Sequence, residues 1–326
     1  MTTIPLEPVD GVDVTVLVDN QIDMLLLDRG PAKRPVFSDK TPRLPAAFLE
    51  GGETIDAPLA EHGFSALITV KKAGREHRVL LDAGITPNGL TENMRRLGVS
   101  AKDIEAIVLS HGHFDHTAGM DGLVHALGKT NLPVIIHPEF WSRRRIVIPG
   151  REPIELPSTS KSALRGAGFE VVEEQQPSFL LDGSLMITGE VDRTTDFERG
   201  FPLHQALRDG EWQPDPLILD DQAAVLHVRD KGLVVLTGCG HAGVVNIVRY
   251  ARALTGVEAV YAVIGGFHLS GPLFEPIVPA TCAALTEMAP QVLVPAHCTG
   301  FAAQQALAAA LPGAFIQNSV GTRYEL

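Results

Sequence analysis

A chain of 326 residues, 45% hydrophobic and 20% charged, has the proportions of an ordinary globular protein with a large core. Its formal charge of −12, from 27 basic against 39 acidic residues, and the lack of basic stretches interleaved with aromatics speak against a nucleic-acid surface. Three cysteines are too few for a disulfide framework. Without a leader-like start or a long uncharged apolar run, the sequence predicts a cytoplasmic protein with no membrane association and gives no sign of oligomeric state.

Val12 to Val18 alternates apolar and polar residues and reads as a strand with one buried face, ended by Asp19-Asn20. Residues 30 to 58 are rich in Pro and Gly, too irregular for a core element, and read as an insertion within one domain spanning 1–326. Glu61 to Val70 and Arg78 to Gly84 predict a strand hairpin that carries Asp82 at its end, followed by a helix over Leu90 to Leu97. The apolar run Ile104 to Leu109 predicts a buried strand.

That strand delivers Ser110-His111-Gly112-His113-Phe114-Asp115-His116, four ligand-type side chains at a strand end. Neutral imidazole nitrogen and carboxylate oxygen are the usual ligands of zinc and neighbouring divalent metals. His111 and His113, two apart on extended backbone, can grip one ion, and Asp115 and His116 can reach a second. The pattern His-x-His-x-Asp-His after a strand resembles the signature of the metallo-β-lactamase superfamily, most of whose members are metal-dependent hydrolases. The resemblance implies a four-layer αβ/βα sandwich with metals at one edge of two facing sheets. It also implies that Asp82 supports the metal turn, where the residue alone reads equally as a turn carboxylate.

A helix over Met120 to Leu127 and a strand over Pro133 to His137 follow, with His137 expected to be structural. The Arg143-Arg144-Arg145 run reads as a solvated patch, with an anion site as the alternative, and residues 141 to 168 as exposed connection with a short helix near Ser160 to Gly166. Short strands are expected at Val171-Val172, Phe179 to Leu181 and Leu185 to Thr188, then a polar loop over Thr194 to Pro202. Leu217 to Thr237 predicts a second hairpin turning at Asp230-Lys231-Gly232 and ending in Gly238-Cys239-Gly240-His241, with a helix over Val244 to Leu254. Ala259 to Ile264 leads to His268, a helix spans Pro276 to Ala289, Gln291 to Pro295 leads to His297, and an Ala-rich helix covers Phe301 to Leu311. A last strand is expected within Ala314 to Tyr324. Strand, polar turn and helix recur with ligand-type residues at the strand ends, which indicates a layered α/β protein.

The second-half motifs Asp220-Asp221-Gln222-Ala223, Thr237 to Gly243, Gly265 to Leu269 and Pro295 to Gly300 narrow the resemblance to the dihydropterin–ribofuranosylaminobenzene phosphate synthase-like subgroup. Matched hairpin to hairpin, the resemblance implies metal contacts from Asp221, from Cys239 or His241 or both, and from His297 alongside Asp115 and His116. His268, after a Gly-Gly pair, is expected to contact substrate or serve as an acid, with a hydrogen-bonded core histidine as the alternative. His62, His77, His125, His204 and His227 carry no such context and read as structural. The expected cofactor is a pair of divalent cations, zinc first, with manganese or iron as alternatives. The expected chemistry is hydrolysis of a small ester- or phosphoester-type substrate by metal-activated water, with Asp115 as general base. A pterin-arylamine condensing transferase and a metal-bound sensor with little turnover are the rival readings.

Overall fold

The computed structural model describes residues 3–128 and 131–326. Two sheets form its centre. The first has eight strands in the order Glu170–Glu173, Pro133–Ile136, Ala106–Val108, Arg75–Leu81, Ser65–Lys72, Gly11–Val18, Arg323–Glu325 and Ala32–Lys33. The second has six, in the order Ser178–Leu180, Leu185–Ile187, Ala224–Val228, Gly232–Thr237, Val260–Gly266 and Val292–Ala296. Both follow one plan. An antiparallel hairpin (Ser65–Lys72 with Arg75–Leu81; Ala224–Val228 with Gly232–Thr237) is followed by parallel strands reached through helices.

The period of two along each strand sorts side chains into three cores, which makes four layers. Val12, Val14, Ile68 and Leu81 of the first sheet meet Leu226, Val234, Leu236 and Ile264 of the second. On its outer face the second sheet presents Leu233, Val235, Val263 and Leu293 to helices Val244–Thr255, Val278–Met288 and Phe301–Ala310. The first sheet presents Leu67, Leu80, Ile107 and Val134 to helices Gly89–Arg96, Met120–Leu127 and Lys161–Gly166. This is the αβ/βα sandwich that the motif implied.

Two regions differ from the sequence reading. Within residues 141 to 168, read as exposed connection, Arg144–Ile146 and Ile154–Glu155 are strands of a four-stranded sheet with His204–Arg208 and Glu211–Pro214. These strands are two to five residues long and lack apolar alternation, so no period marks them. The stretch 30–58 supplies Ala32–Lys33 to the edge of the first sheet and a ribbon of Arg43–Pro45 with Glu53–Ile55. No helix among the described residues is long and apolar enough to cross a membrane.

Candidate metal centre

Parallel strands share a carboxyl end, and ligands of α/β sheets collect there. Here that edge carries Asp82, the 110–116 turn, the 238–243 turn, His268 and His297, each just after a strand. Asp82, His268 and His297 all have left-handed backbone, with φ of 58°, 46° and 47°. Such a conformation is costly for residues with a side chain and concentrates at functional sites.

Asp82 is fully buried and ties the first turn together. Its Oδ1 accepts from the Ser110 amide at 2.7 Å, its Oδ2 accepts from Ser110 Oγ at 2.8 Å, and the same Oδ2 lies 2.6 Å from His116 Nδ1. That supporting position is the one the resemblance implied. With Nδ1 on the carboxylate, His116 turns Nε2 to the site, 3.1 Å from Cys239 Sγ and 3.9 Å from Asp115 Oδ2. Burial opposes a charge on His116, but Asp82 and Asp115 outweigh it and raise its pKa to about 9. Burial likewise works against a charged Asp115, yet His116 and His297 hold its carboxyl well below the usual range.

The second turn is pressed against the first. A Cβ on Gly238 would stand 2.6 Å from Asp82 Oδ2 and closer still to Ser110 Oγ, so only glycine fits between the turns. The next residues then diverge, Cys239 towards His116 and His241 towards His113, whose Nδ1 lies 3.2 Å from His241 Nε2. Glu198 anchors the following helix by accepting from the Val245 and Asn246 amides, both at 2.8 Å, at the helix end where a carboxylate is favoured.

Three overlapping groups of donor atoms result, each within 4.8 Å of one another: His111, His113 and His241; Asp115, His116, Cys239 and His297; and Cys239, His241 and His268. Donors on one tetrahedral zinc at about 2.1 Å stand about 3.4 Å apart. His111 Nε2 to His113 Nδ1 at 2.9 Å and His297 Nε2 to Asp115 Oδ2 at 3.3 Å are of that order. His297, its side chain fully buried, turns Nε2 towards the Asp115 carboxylate and so into that donor group. The donor set of imidazole, carboxylate and thiol thus fits a divalent cation, and the Cys239-Gly240-His241 turn offers one donor to each of the first two groups.

The metallo-beta-lactamase superfamily model matches residues 60–254. The chain belongs to that superfamily. It is 32% identical over 253 residues to the 7,8-dihydropterin-6-methyl-4-(beta-D-ribofuranosyl)-aminobenzene-5'-phosphate synthase of Methanocaldococcus jannaschii, spanning 75% of this chain and 83% of that one. A metal-dependent hydrolase of the beta-lactamase superfamily shares the fold with a TM-score of 0.68 at 22% identity, covering 97% of this chain and 99% of the other. A metallo-beta-lactamase fold protein from Bacillus subtilis does so with a TM-score of 0.52 at 14% identity, covering 97% of this chain and 100% of the other.

Against this superfamily frame, most expected site residues converge and one stands apart. His111, His113, Asp115, His116, Cys239, His241, His268 and His297 lie in the donor groups. Asp221 lies outside all three: its Oδ2 accepts from the Ala242 amide at 2.8 Å, which places the carboxylate behind the second turn. Burial raises its pKa to about 6.

Five residues at the site, Asp19, Asn20, His62, His204 and Arg144, went unseen in the sequence. The backbone amide of His297 donates to Asp19 Oδ1 at 2.7 Å, and its Nδ1 lies 2.9 Å from Asn20 Oδ1, so the pair that ends the first strand orients this ligand. Their strand-end position was the available signal. His62 Nε2 lies 3.5 Å from Asp115 Oδ2 on the solvent side, and His204 Nε2 lies 3.1 Å from His113 Nε2 in the interior. Arg144, read as part of a solvated patch, is instead 2% exposed and paired with Asp215 at 3.0 Å and with Asp220. Asp220 in turn accepts from the Gly112 amide at 2.8 Å. His268, half-buried, packs against His241 and Phe274 at ring separations of 4.1 and 4.5 Å, with Phe201 at 5.9 Å.

Proposed function

We propose that this protein is a metal-dependent hydrolase holding two divalent cations, zinc foremost, and acting on a small ester- or phosphoester-type substrate. The observation that carries the reading is the pair of adjoining donor groups, His111/His113/His241 and Asp115/His116/Cys239/His297. These residues would hold a divalent cation, which would lower the pKa of water towards neutrality and polarise an ester or phosphoryl oxygen. Burial pushes the pKa of His111, His113 and His241 down, so all three keep a neutral ring with a lone pair to give. Cys239 joins as a thiolate, which a cation favours over the buried thiol. Asp115, kept ionised by its histidine neighbours, is the proton acceptor that orients the attacking water. His268, half-buried with Nδ1 unpartnered, is the group that meets substrate. No serine or cysteine nucleophile is required.

A second reading is favoured by the archaeal relative, whose name describes a synthase: condensation of a reduced pterin with a ribosylaminobenzene phosphate. The same ligands serve either reaction, because they fix where charge is stabilised and not whether water or an amine attacks. The test is elemental analysis of the purified protein, then assay of the metal-loaded enzyme on phosphodiesters, lactones and thioesters beside a reduced pterin with an arylamine phosphate. Hydrolysis supports the proposal, coupled product replaces it with the transferase, and turnover of neither points to a metal-bound sensor. His113→Ala should lose bound metal and activity together, and a variant keeping both sinks the assignment.

A further inference from the structure

His204 belongs to none of the donor groups, yet its ring meets one of their members edge to face, 4.9 Å between centroids. It is 1% exposed and rigidly mounted. Its amide donates to Phe201 O at 3.1 Å, its carbonyl accepts from the Asp215 amide at 2.9 Å, and it pairs across the small sheet with Ile146.

The two nitrogens of His113 face different neighbours. Nδ1 points into the three-imidazole group, 2.9 Å from His111 Nε2 and 3.2 Å from His241 Nε2, whereas Nε2 points at His204 Nε2, 3.1 Å away. A ring that gives its Nδ1 lone pair to a cation carries its proton on Nε2. That proton needs an acceptor, because a buried N–H without one bears its full desolvation penalty. The lone pair of His204 Nε2 is in place to take it. His204 then carries its own proton on Nδ1, which has no hydrogen-bond partner and faces Asp215 Oδ2 at 3.9 Å. Asp215 is fixed in turn by Arg144 Nε at 3.0 Å and Arg208 Nη2 at 2.9 Å. Each proton along the line Asp215, His204, His113 has one consistent position.

We infer that His204 is a positioning residue: by accepting from His113 Nε2 it holds His113 in the tautomer and orientation that present Nδ1 as a ligand. Partners that orient ligand histidines typically change metal affinity 10–100-fold when removed. The inference rests on the metal-centre reading above.

The test compares zinc affinity of the full chain, by competition with a chromogenic chelator, in wild type, His204→Phe and His204→Gln. Phenylalanine fills the space without an acceptor, and the glutamine carbonyl restores one. The expected result is a loss of about 10–100-fold for H204F and recovery to within a few-fold of wild type for H204Q. Equal affinity in H204F and wild type overturns the inference, as does an H204Q variant that folds but binds as weakly as H204F. Should H204F fail to fold, ¹⁵N–¹H correlation of the zinc-loaded wild type decides independently. A proton on His113 Nε2 is expected, and a proton on Nδ1 overturns the assignment. Wild type that binds no zinc overturns the metal centre itself, a failure distinct from one confined to the His204 variants.

Discussion

The two principal donor groups touch at one turn but are held by different chemistry. On one side the ligand histidines lean on oxygen: His116 on the Asp82 carboxylate, His297 on Asn20 with Asp19 at its backbone. On the other, His111 Nδ1 rests on the Ser110 hydroxyl at 2.9 Å and His113 leans on a second imidazole, with the charges one step further back, where Arg144 joins Asp215 and Asp220. The consequence is electronic. Carboxylates overcome burial and raise the His116 pKa to about 9, whereas burial prevails at His111, His113 and His241 and lowers theirs.

The largest effect should come from Asp82, the support of the carboxylate-backed side. Asp82→Ala strips acceptors from the Ser110 amide, Ser110 Oγ and His116 Nδ1 at once, all of them buried. Urea unfolding should show a loss of about 3–5 kcal/mol, the usual cost of breaking a buried charged network. Asp82→Asn keeps one acceptor and tolerates the left-handed backbone, so it should cost less and isolate the contribution of charge. An alanine variant within about 1 kcal/mol of wild type would show that the support is dispensable.

Next comes Arg144, the equivalent support on the imidazole side. Arg144→Met leaves Asp220 buried without its cation and Asp215 with Arg208 alone, and should cost about 3 kcal/mol. It should also change the acid limb of stability. Burial would raise the Asp215 pKa, but His204, Arg144 and Arg208 outweigh it and hold the carboxyl well below the usual range. Its contribution is therefore present above the unfolded carboxylate pKa of about 3.9 and is lost as pH falls below it. Melting temperature against pH should fall less steeply below pH ~4 in R144M, and an unchanged slope would mean that His204 and Arg208 alone depress Asp215.

A smaller loss is expected where the sides meet. Gly238→Ala drives a methyl group between Ser110 and Asp82 and should cost about 1–3 kcal/mol, the range for overpacking a buried site. Because Cys239 and His241 follow directly, zinc stoichiometry of the folded variant should fall for both groups together. Loss confined to one group would show that the halves of the turn move independently.

These supports also mark how far the sequence could be read. His111 to His116 was legible because four ligand-type residues crowd one strand end, and the layered fold was legible because Gly11–Val18 alternates while Gly232–Thr237 carries a continuous apolar run. Cys239 and His241 were found as a pair, but their division between two groups depends on turn geometry, which spacing does not encode. Asp221 illustrates the converse: one carboxylate oxygen is taken by the Ala242 amide while the other is buried without a hydrogen-bond partner, a division that spacing does not encode. His204 was invisible because its strand of five residues borrows its partners from Arg144–Ile146, about 60 positions earlier and itself unmarked by any period.

The smallest effect is expected one residue from one of the largest. Arg143 and Arg144 read alike in sequence, but strand alternation sends them to opposite faces. Arg143 is 56% exposed and pairs with Glu155, itself 48% exposed, through Nε at 3.0 Å. Water competes for both groups, salt screens them, and two long side chains must be ordered to meet, so such pairs contribute about 0.2–1 kcal/mol. Arg143→Ala should therefore change the stability read from urea unfolding by less than about 0.5 kcal/mol and leave zinc affinity unchanged, and the change should vanish in high salt. If R143A instead weakened zinc binding, the small sheet would be acting as one unit. The imidazole side would then rest on the whole sheet rather than on the single buried cation that separates it from its carboxylate-backed neighbour.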